Sequence, residues 1–178
     1  MEVTILRLSH RAERDKRVTT HLGLVARAFG ASKMLITGMK DEHLADSIQR
    51  VVDSWGGPFE VDFVPGWRSV IDEHKKKGFI TAHLTMYGLP VQDEVPKIRK
   101  AATKSKKVLV IVGGEKVPID VYHEVDYNVS VTSQPHSEIS ALAVFLDRLL
   151  DGKELEKKFT NASMSVAPQK CGKKILSK

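Results

Sequence analysis

The sequence predicts an α/β protein, built on a mostly parallel sheet with helices on both faces. Six short segments of continuous apolar or β-branched character alternate with five segments whose apolar residues recur at helical spacing. Such alternation is typical of parallel strands joined by helices. The 178 residues are 42% apolar and 28% charged, so the chain can bury a full core and disorder is not expected.

Each predicted strand ends near glycine, proline or polar turn residues. The six strands are predicted at 2–8, 33–37, 60–63, 79–85, 108–112 and 127–131. The five helices are predicted at 18–29, 41–54, 67–77, 91–103 and 137–150. The last helix has the clearest pattern, with apolar residues at 139, 142, 143, 146, 149 and 150.

The residues from 153 onward differ in composition from the rest of the chain. They include seven lysines and two glutamates, and 163–176 has the composition of a hairpin around Pro168 and Gly172. We therefore predict an α/β domain at 1–152 and a basic C-terminal extension at 153–178.

Composition also narrows the class of protein. The longest apolar run, at 108–112, is far shorter than the roughly 20 residues of a membrane span, and Glu2 and Arg7 do not suit a signal peptide. The single cysteine, Cys171, allows no internal disulfide. We therefore expect a cytoplasmic protein with no membrane partner. The net charge of +6 favours a polyanionic partner, and nucleic acid is the commonest.

Three loops after strand ends are the expected ligand site, because ligands of such sheets bind at the carboxyl ends of the strands. They are 83–90, 112–118 and 132–137. Gly88, Gly113 and Gly114 permit close backbone approach, although a plain turn explains glycine equally well. The third loop precedes a helix, and Pro135 with Ser137 also fits a simple helix start. Asn128 is expected to bridge backbone groups at a strand end.

Two familiar kinds of site do not fit these residues. The glycine spacing at 113–118 matches neither the Walker pattern nor the dinucleotide fingerprint. The seven histidines lack the spacing of metal ligands, so no metal site is predicted.

An arginine cluster near the N-terminus is the expected RNA-binding segment. Residues 7–27 include five arginines and one lysine against two acidic residues. A solvated charged face is the alternative, but arginine suits bidentate phosphate contacts. At helical spacing, Arg14, Arg17 and His21 fall on one side. We predict that RNA contacts Arg7, Arg11, Arg14 and Arg17.

The residues Asn-Val-Ser-Val at 128–131, after a Gly-Gly-Glu loop and before an apolar helix, resemble the last motif of the SPOUT methyltransferases. The resemblance implies a C-terminal trefoil knot. It also implies that S-adenosylmethionine binds in the knot loops, at a homodimer interface.

The chain is similar over nearly its whole length to the archaeal tRNA (cytidine-56-2'-O)-methyltransferases. The motifs that carry this resemblance are 6–11, 14–21, 26–31, 84–88, 114–118 and 134–138. The resemblance implies methyl transfer from S-adenosylmethionine to the 2'-hydroxyl of cytidine 56 in the T-loop of tRNA. The alternatives are another RNA site and a non-catalytic RNA-binding protein of the same fold.

The resemblance also implies a set of cofactor-binding residues. They are Leu84, Gly88, Val112, Gly113, Gly114, Glu115, Lys116, Val117, Val131, Thr132, Gln134, Pro135, His136 and Ser137.

The catalytic arginine cannot be transferred from the related ribose methyltransferases. Their motif Asn-x-x-x-Ile-x-Arg-x-x-x-x-Phe-Gly aligns with Val18 and Leu24, which lack the required side chains. Within this family's own pattern, Arg17, with Arg14 as the alternate, is the predicted catalytic group. We expect it to hold a tRNA phosphate and stabilise the alkoxide, while the phosphate or His21 accepts the proton. His21 otherwise only packs at the helix start.

Overall fold

A computed structural model of the chain describes residues 1–114 and 116–177. The described strands are β1 (Glu2–His10), β2 (Lys33–Gly38), β3 (Glu60–Phe63), β4 (Ile80–Pro90), β5 (Lys107–Val112), β6 (Tyr127–Ser130), β7 (Met164–Val166) and β8 (Ile175–Ser177). The described helices are α1 (Ala12–Ala28), α2 (Glu42–Trp55), α3 (Trp67–Lys76), α4 (Val91–Ala101), α5 (Ile119–Glu124) and α6 (Glu138–Leu150). A short 3-10 helix spans Lys153–Glu156.

The first six strands form one sheet in the order β3-β2-β1-β5-β4-β6, and each neighbouring pair is parallel. Alternate residues of the central strands enter two apolar clusters on opposite faces. On β5, for example, Val108 and Val110 join the cluster with α1, α2, α4 and α6, while Leu109 joins the cluster with α3 and α5. The predicted α/β architecture, with helices on both faces, is confirmed.

One predicted helix begins at the wrong residue, and one helix was not predicted. Helix α1 begins at Ala12, not at 18, because its first turns are amphipathic: Asp15 and Thr19 face inward while Arg14 and Arg17 face solvent. Helix α5 was missed because six residues are too few to show a helical period.

Strand β4 continues to Pro90, beyond its predicted end at 85. Its pairing with β6 is interrupted, because Leu84 and Leu89 both pair with Val129. The residues between Leu84 and Leu89 do not pair with β6, and pairing resumes at Leu89. On return, Gly88 packs so closely on β6 that a Cβ atom would lie 2.5 Å from the amide nitrogen of Val129. Only glycine fits this approach.

The residues near the C-terminus form a short two-stranded sheet. Strands β7 and β8 pair antiparallel, with Met164 opposite Ser177. The extension is tied to the α/β body where the amide of Gly57 donates to the carbonyl of Thr160 at 3.0 Å. The division of the chain at 152 stays a prediction. In the described residues, no helix is long and apolar enough to cross a membrane.

Candidate functional site

The carboxyl ends of β4, β5 and β6 surround a cavity of about 290 Å³, which we call the first cavity. The three loops singled out in the sequence line it, together with the start of α6. Its lining residues are His83, Leu84, Thr85, Met86, Tyr87, Val112, Gly113, Gly114, Val117, Tyr122, Val131, Thr132, Gln134, Pro135, His136, Glu138 and Ala141. The three loops therefore meet at one place, as a parallel sheet requires.

Most of the predicted cofactor residues lie in this lining. Those that do are Leu84, Val112, Gly113, Gly114, Val117, Val131, Thr132, Gln134, Pro135 and His136. Gly88 instead packs on β6. The hydroxyl of Ser137 caps α6, accepting a hydrogen bond of 3.2 Å from the amide of Ile139. Glu115 lies outside the described residues.

Lys116 lines a different cavity, of about 580 Å³, which we call the second cavity. It lies at the carboxyl ends of β1, β2 and β3, beside the first. Its lining residues are Ser9, His10, Arg11, Thr37, Gly38, Met39, Pro65, Gly66, Trp67 and Lys116.

A hydrogen-bonded group that the sequence did not reveal lies against the first cavity. His83 Nδ1 and Asn128 Oδ1 lie 2.9 Å apart, and Asn128 Nδ2 donates to the carbonyl of Tyr122 at 2.8 Å. Asn128 thus bridges the side chain of His83 and the backbone of Tyr122, whereas a bridge between backbone groups was predicted. The rings of His83 and Tyr122 meet edge to face, with centroids 4.8 Å apart. Tyr122 belongs to the unpredicted α5, so no sequence signal placed it here.

The surroundings of His83 favour its neutral form. It is fully buried, and burial lowers its pKa while the hydrogen bond to Asn128 opposes that effect. Its Nε2 has no hydrogen-bond partner among the described residues. An unpaired buried nitrogen is costly, because burial removes its hydrogen bonds to water.

The prediction that RNA contacts Arg7 was wrong, because its side chain is only 1% exposed. Arg7 Nη1 donates to the carbonyl of Gly113, and Nη2 lies 3.1 Å from Glu138 Oε1. Burial lowers the pKa of Arg7, while the carboxylate of Glu138 raises it. Arg7 therefore holds two lining segments of the first cavity together from within the fold.

Two contacts hold the start of α1 in place: one joins Arg11 to the first turns of the helix, and one joins the helix to His10 at the end of β1. Arg11 Nε donates to Asp15 Oδ2 at 3.0 Å, and this hydrogen bond is the main reason that the pKa of Asp15 is lowered. His10 Nδ1 and Thr19 Oγ1 share a hydrogen bond of 3.0 Å. Because Asp15 and Thr19 lie on the buried side of α1, the opposite side of the helix faces solvent.

Arg14, Arg17 and His21 lie on that exposed side of α1, in agreement with their predicted spacing. None of them is among the described residues that line the first cavity. The predicted catalytic residues and the predicted cofactor residues are therefore not brought together within a single copy of the chain.

Comparison with known proteins gives a consistent answer. The family model for tRNA ribose 2'-O-methyltransferase, aTrm56, matches residues 55–176. A tRNA (cytidine(56)-2'-O)-methyltransferase from Thermococcus kodakarensis is 53% identical over 174 residues, which cover 98% of this chain and 96% of that protein. The chain belongs to this family. A second member, from Methanocaldococcus jannaschii, is 51% identical over 176 residues, covering 99% and 97% of the two chains.

Solved structures of TrmH/SpoU enzymes share the fold of this chain. A TrmH/SpoU tRNA-modifying enzyme from A. aeolicus aligns with a TM-score of 0.60 at 11% identity, over 87% of this chain and 77% of that one. The SpoU methyltransferase AviRb from Streptomyces viridochromogenes, in complex with the cofactor AdoMet, aligns with a TM-score of 0.58 at 15% identity. That alignment covers 86% of this chain and 57% of AviRb.

Proposed function

We propose that the protein is a cytoplasmic homodimer that transfers the methyl group of S-adenosylmethionine to the 2'-hydroxyl of cytidine 56 in the T-loop of tRNA. The observation that carries this proposal is the near-complete match, at about half identity, to family members named for that reaction. A basic chain also suits a tRNA substrate, because phosphates attract cations.

The first cavity has the character that a nucleoside cofactor needs. Its volume of about 290 Å³ is at the lower end of ligand pockets, which span about 300–1,000 Å³. Leu84, Val112 and Val131 supply apolar contacts, and the turns at Gly113 and Gly114 offer backbone groups for hydrogen bonds. We propose that these residues hold the adenosyl group. The bound cofactor supplies an electrophilic methyl group on a sulfonium.

The remaining chemistry belongs to the ribose. A 2'-hydroxyl is a weak nucleophile until its proton leaves, so the protein must position it and stabilise negative charge on its oxygen. Arginine is a poor base, since its pKa exceeds about 12. We therefore assign Arg17 to a tRNA phosphate and the developing alkoxide, with Arg14 as the alternate. The phosphate or His21 accepts the proton.

A homodimer resolves the separation of the two halves of this site. Within one copy, Arg14, Arg17 and His21 project from α1 and do not line the first cavity. At the mouth of that cavity, Tyr87 is 79% exposed, and Leu89 on β4 and Val144 on α6 are also exposed. Exposed apolar side chains are commonly covered by a partner. We propose that a second copy covers them and delivers its α1 arginines to this cavity.

The reaction is tested by mapping. Unmodified tRNA transcript is incubated with the protein and S-adenosylmethionine, and the methylated ribose is located by primer extension. We expect one product, at cytidine 56, and none when that nucleotide is deoxycytidine. A product at another position would refute the substrate assignment. If calorimetry detected no binding of S-adenosylmethionine, the remaining function would be that of a non-catalytic RNA-binding protein.

The shared site is tested by mixing two inactive variants. Arg17→Ala removes the predicted catalytic group, and Ala141→Trp fills the first cavity from α6. Each variant alone should lose about 100-fold or more in single-turnover rate, a typical effect of removing one charge-stabilising group. A mixture that exchanges subunits should regain activity, because each mixed dimer has one site that combines two intact parts. Lack of recovery, despite exchange, would show that each copy uses its own arginine.

A further inference from the structure

The second cavity is not explained by cofactor binding. It lies at the same edge of the sheet as the first cavity, and one loop separates them: Gly113, Gly114 and Val117 line the first, whereas Lys116 lines the second. A ligand that reaches from one cavity to the other would cross only this loop.

The lining of the second cavity has the chemistry of a nucleotide site. Trp67 and Met39 supply an aromatic ring and a thioether, and Met39 is 56% exposed. Lys116 and Arg11 supply positive charge, that of Arg11 being already paired with Asp15, and none of the described lining residues is acidic. Aromatic rings beside cations are the usual means of binding an unstacked base and its phosphate.

The ring of Trp67 is held in place by its neighbour on α3. The guanidinium of Arg68 lies 4.6 Å from the ring centroid, and its Nε donates to Glu124 Oε1 at 2.9 Å. Arginine stacked on tryptophan in this way limits the motion of the ring. A ring fixed before binding loses less conformational entropy when a base stacks on it.

A polar group without a partner lies in the wall of the same cavity. His10 is 1% exposed, its Nδ1 is bonded to Thr19, and its Nε2 has no hydrogen-bond partner among the described residues. Burial of such a nitrogen is unfavourable unless a ligand or water satisfies it. The nitrogen itself is not accessible to solvent, so a ligand in the cavity reaches it only if the side chain of His10 or its neighbours move.

The backbone around His10 is strained. Ser9 has a φ of 54°, in the left-handed region that a residue with a side chain rarely adopts. The strain is maintained by a hydrogen bond of 3.0 Å from the amide of Ser9 to Thr37 Oγ1, and β1 shifts its register against β2 here. Strained backbone at the edge of a cavity is a common feature of ligand sites.

We infer that the second cavity binds one unstacked nucleotide of the tRNA, with its base beside Trp67 and its phosphate near Arg11 and Lys116. This inference rests on the proposed function. It gives the substrate a separate anchor, next to the cofactor, that is distinct from the arginines of α1. A protein segment in this cavity is the competing occupant.

The two tryptophans of the chain provide a matched test. Trp55 is also half-buried, but it lines neither cavity. In a Trp55→Phe protein, Trp67 is the only tryptophan, and we expect unmodified tRNA transcript to quench its emission saturably. In a Trp67→Phe protein, emission from Trp55 should change little. S-adenosylmethionine alone should alter neither signal.

Binding measurements separate a direct contact from a structural role. Trp67→Ala should raise the Kd for tRNA about 10-fold, within the range for losing one stacked base, and leave the Kd for S-adenosylmethionine within twofold. Trp67→Phe should recover most of the tRNA affinity. A structural role would instead lower the melting temperature and weaken both ligands together.

Several results would overturn the inference. One is unchanged Trp67 emission in a Trp55→Phe sample that binds and methylates tRNA, since the proposed function would then hold without this site. Equal quenching of both tryptophans would also overturn it. If Trp67 emission changed with protein concentration and not with added tRNA, the cavity would be occupied by another subunit. If tRNA quenched Trp67 emission but the protein did not methylate tRNA, the proposed function would be refuted and the second cavity would still be a nucleotide-binding site.

Discussion

The buried ion pair between Arg7 and Glu138 should respond unequally to loss of its two members. Arg7 is 1% exposed and Glu138 is 31% exposed, with 3.1 Å between Nη2 and Oε1. Glu138→Ala leaves a guanidinium that water cannot reach, and stranding a buried charge costs about 3–5 kcal/mol. Because the carboxylate is partly exposed, we expect the lower end, about 3 kcal/mol.

Arg7→Met should cost less, because the carboxylate that it leaves behind can be solvated. The variant loses the hydrogen bond from Arg7 to the carbonyl of Gly113, and a bond from a charged donor contributes about 1.5–3 kcal/mol. We expect a loss of about 2 kcal/mol. The double variant should be more stable than Glu138→Ala alone, since it strands no buried charge.

Urea unfolding of the three variants measures these differences. For a chain of this length, about 3 kcal/mol corresponds to a decrease of about 6–12 °C in melting temperature. Glu138 and Gly113 line the first cavity, so calorimetry should also show weaker binding of S-adenosylmethionine in each variant. A larger loss of stability in Arg7→Met than in Glu138→Ala would refute the reasoning, as would additive effects in the double variant.

Three further predictions follow from single side chains. Burial lowers the pKa of His83 below its usual 6.5, so the unfolded chain binds a proton first and stability falls as the pH drops below 6.5. His83→Asn should reduce that decrease by up to about 1.4 kcal/mol per pH unit, and an unchanged slope in urea unfolding would contradict the assignment. Gly88→Ala should cost at least about 2 kcal/mol because its Cβ would meet the β6 backbone, whereas Gly114→Ala, with ordinary contacts, should be near neutral by the same assay. Arg17→Gln should lower the slope of the logarithm of tRNA affinity against the logarithm of salt concentration by about one unit, without loss of stability. Arg27→Gln should leave that slope unchanged but lower stability, because the Arg27 guanidinium donates to backbone carbonyls at 2.6–2.9 Å. Equal slopes in the two variants would exclude Arg17 from phosphate contact.

The sheet was predictable because its strands carry their own signal. The run at 108–112 is apolar throughout, as a strand buried on both faces must be, and it became the central strand β5. The break in β4 had no such signal. It depends on where Gly88 meets Val129, a contact between segments about 40 residues apart that local patterns do not encode. The trefoil knot, which rests on the resemblance alone, stays a prediction for the same reason.

The first cavity was largely predictable, because glycines and polar residues after strand ends meet at one edge of a parallel sheet. The contribution of His83 was not. A histidine within an apolar strand most often belongs to the core, and its partner Asn128 lies 45 residues later. Lys116 lies only one residue before Val117, yet the two line different cavities, since the loop that carries them separates the sites.

The N-terminal arginines divide into two groups that composition cannot distinguish. Arg7 lies on β1, whose residues 3–8 are all buried, and its charge is used to join Gly113 and Glu138. Arg14 and Arg17 follow the change from strand to helix, and the helical period turns them outward, opposite the buried Asp15. The predicted start of α1 was six residues too late, so the change from strand spacing to helical spacing between Arg7 and Arg14 was not predicted. Placing that start at Ala12 is therefore what separates an arginine that builds the first cavity from those available to a substrate.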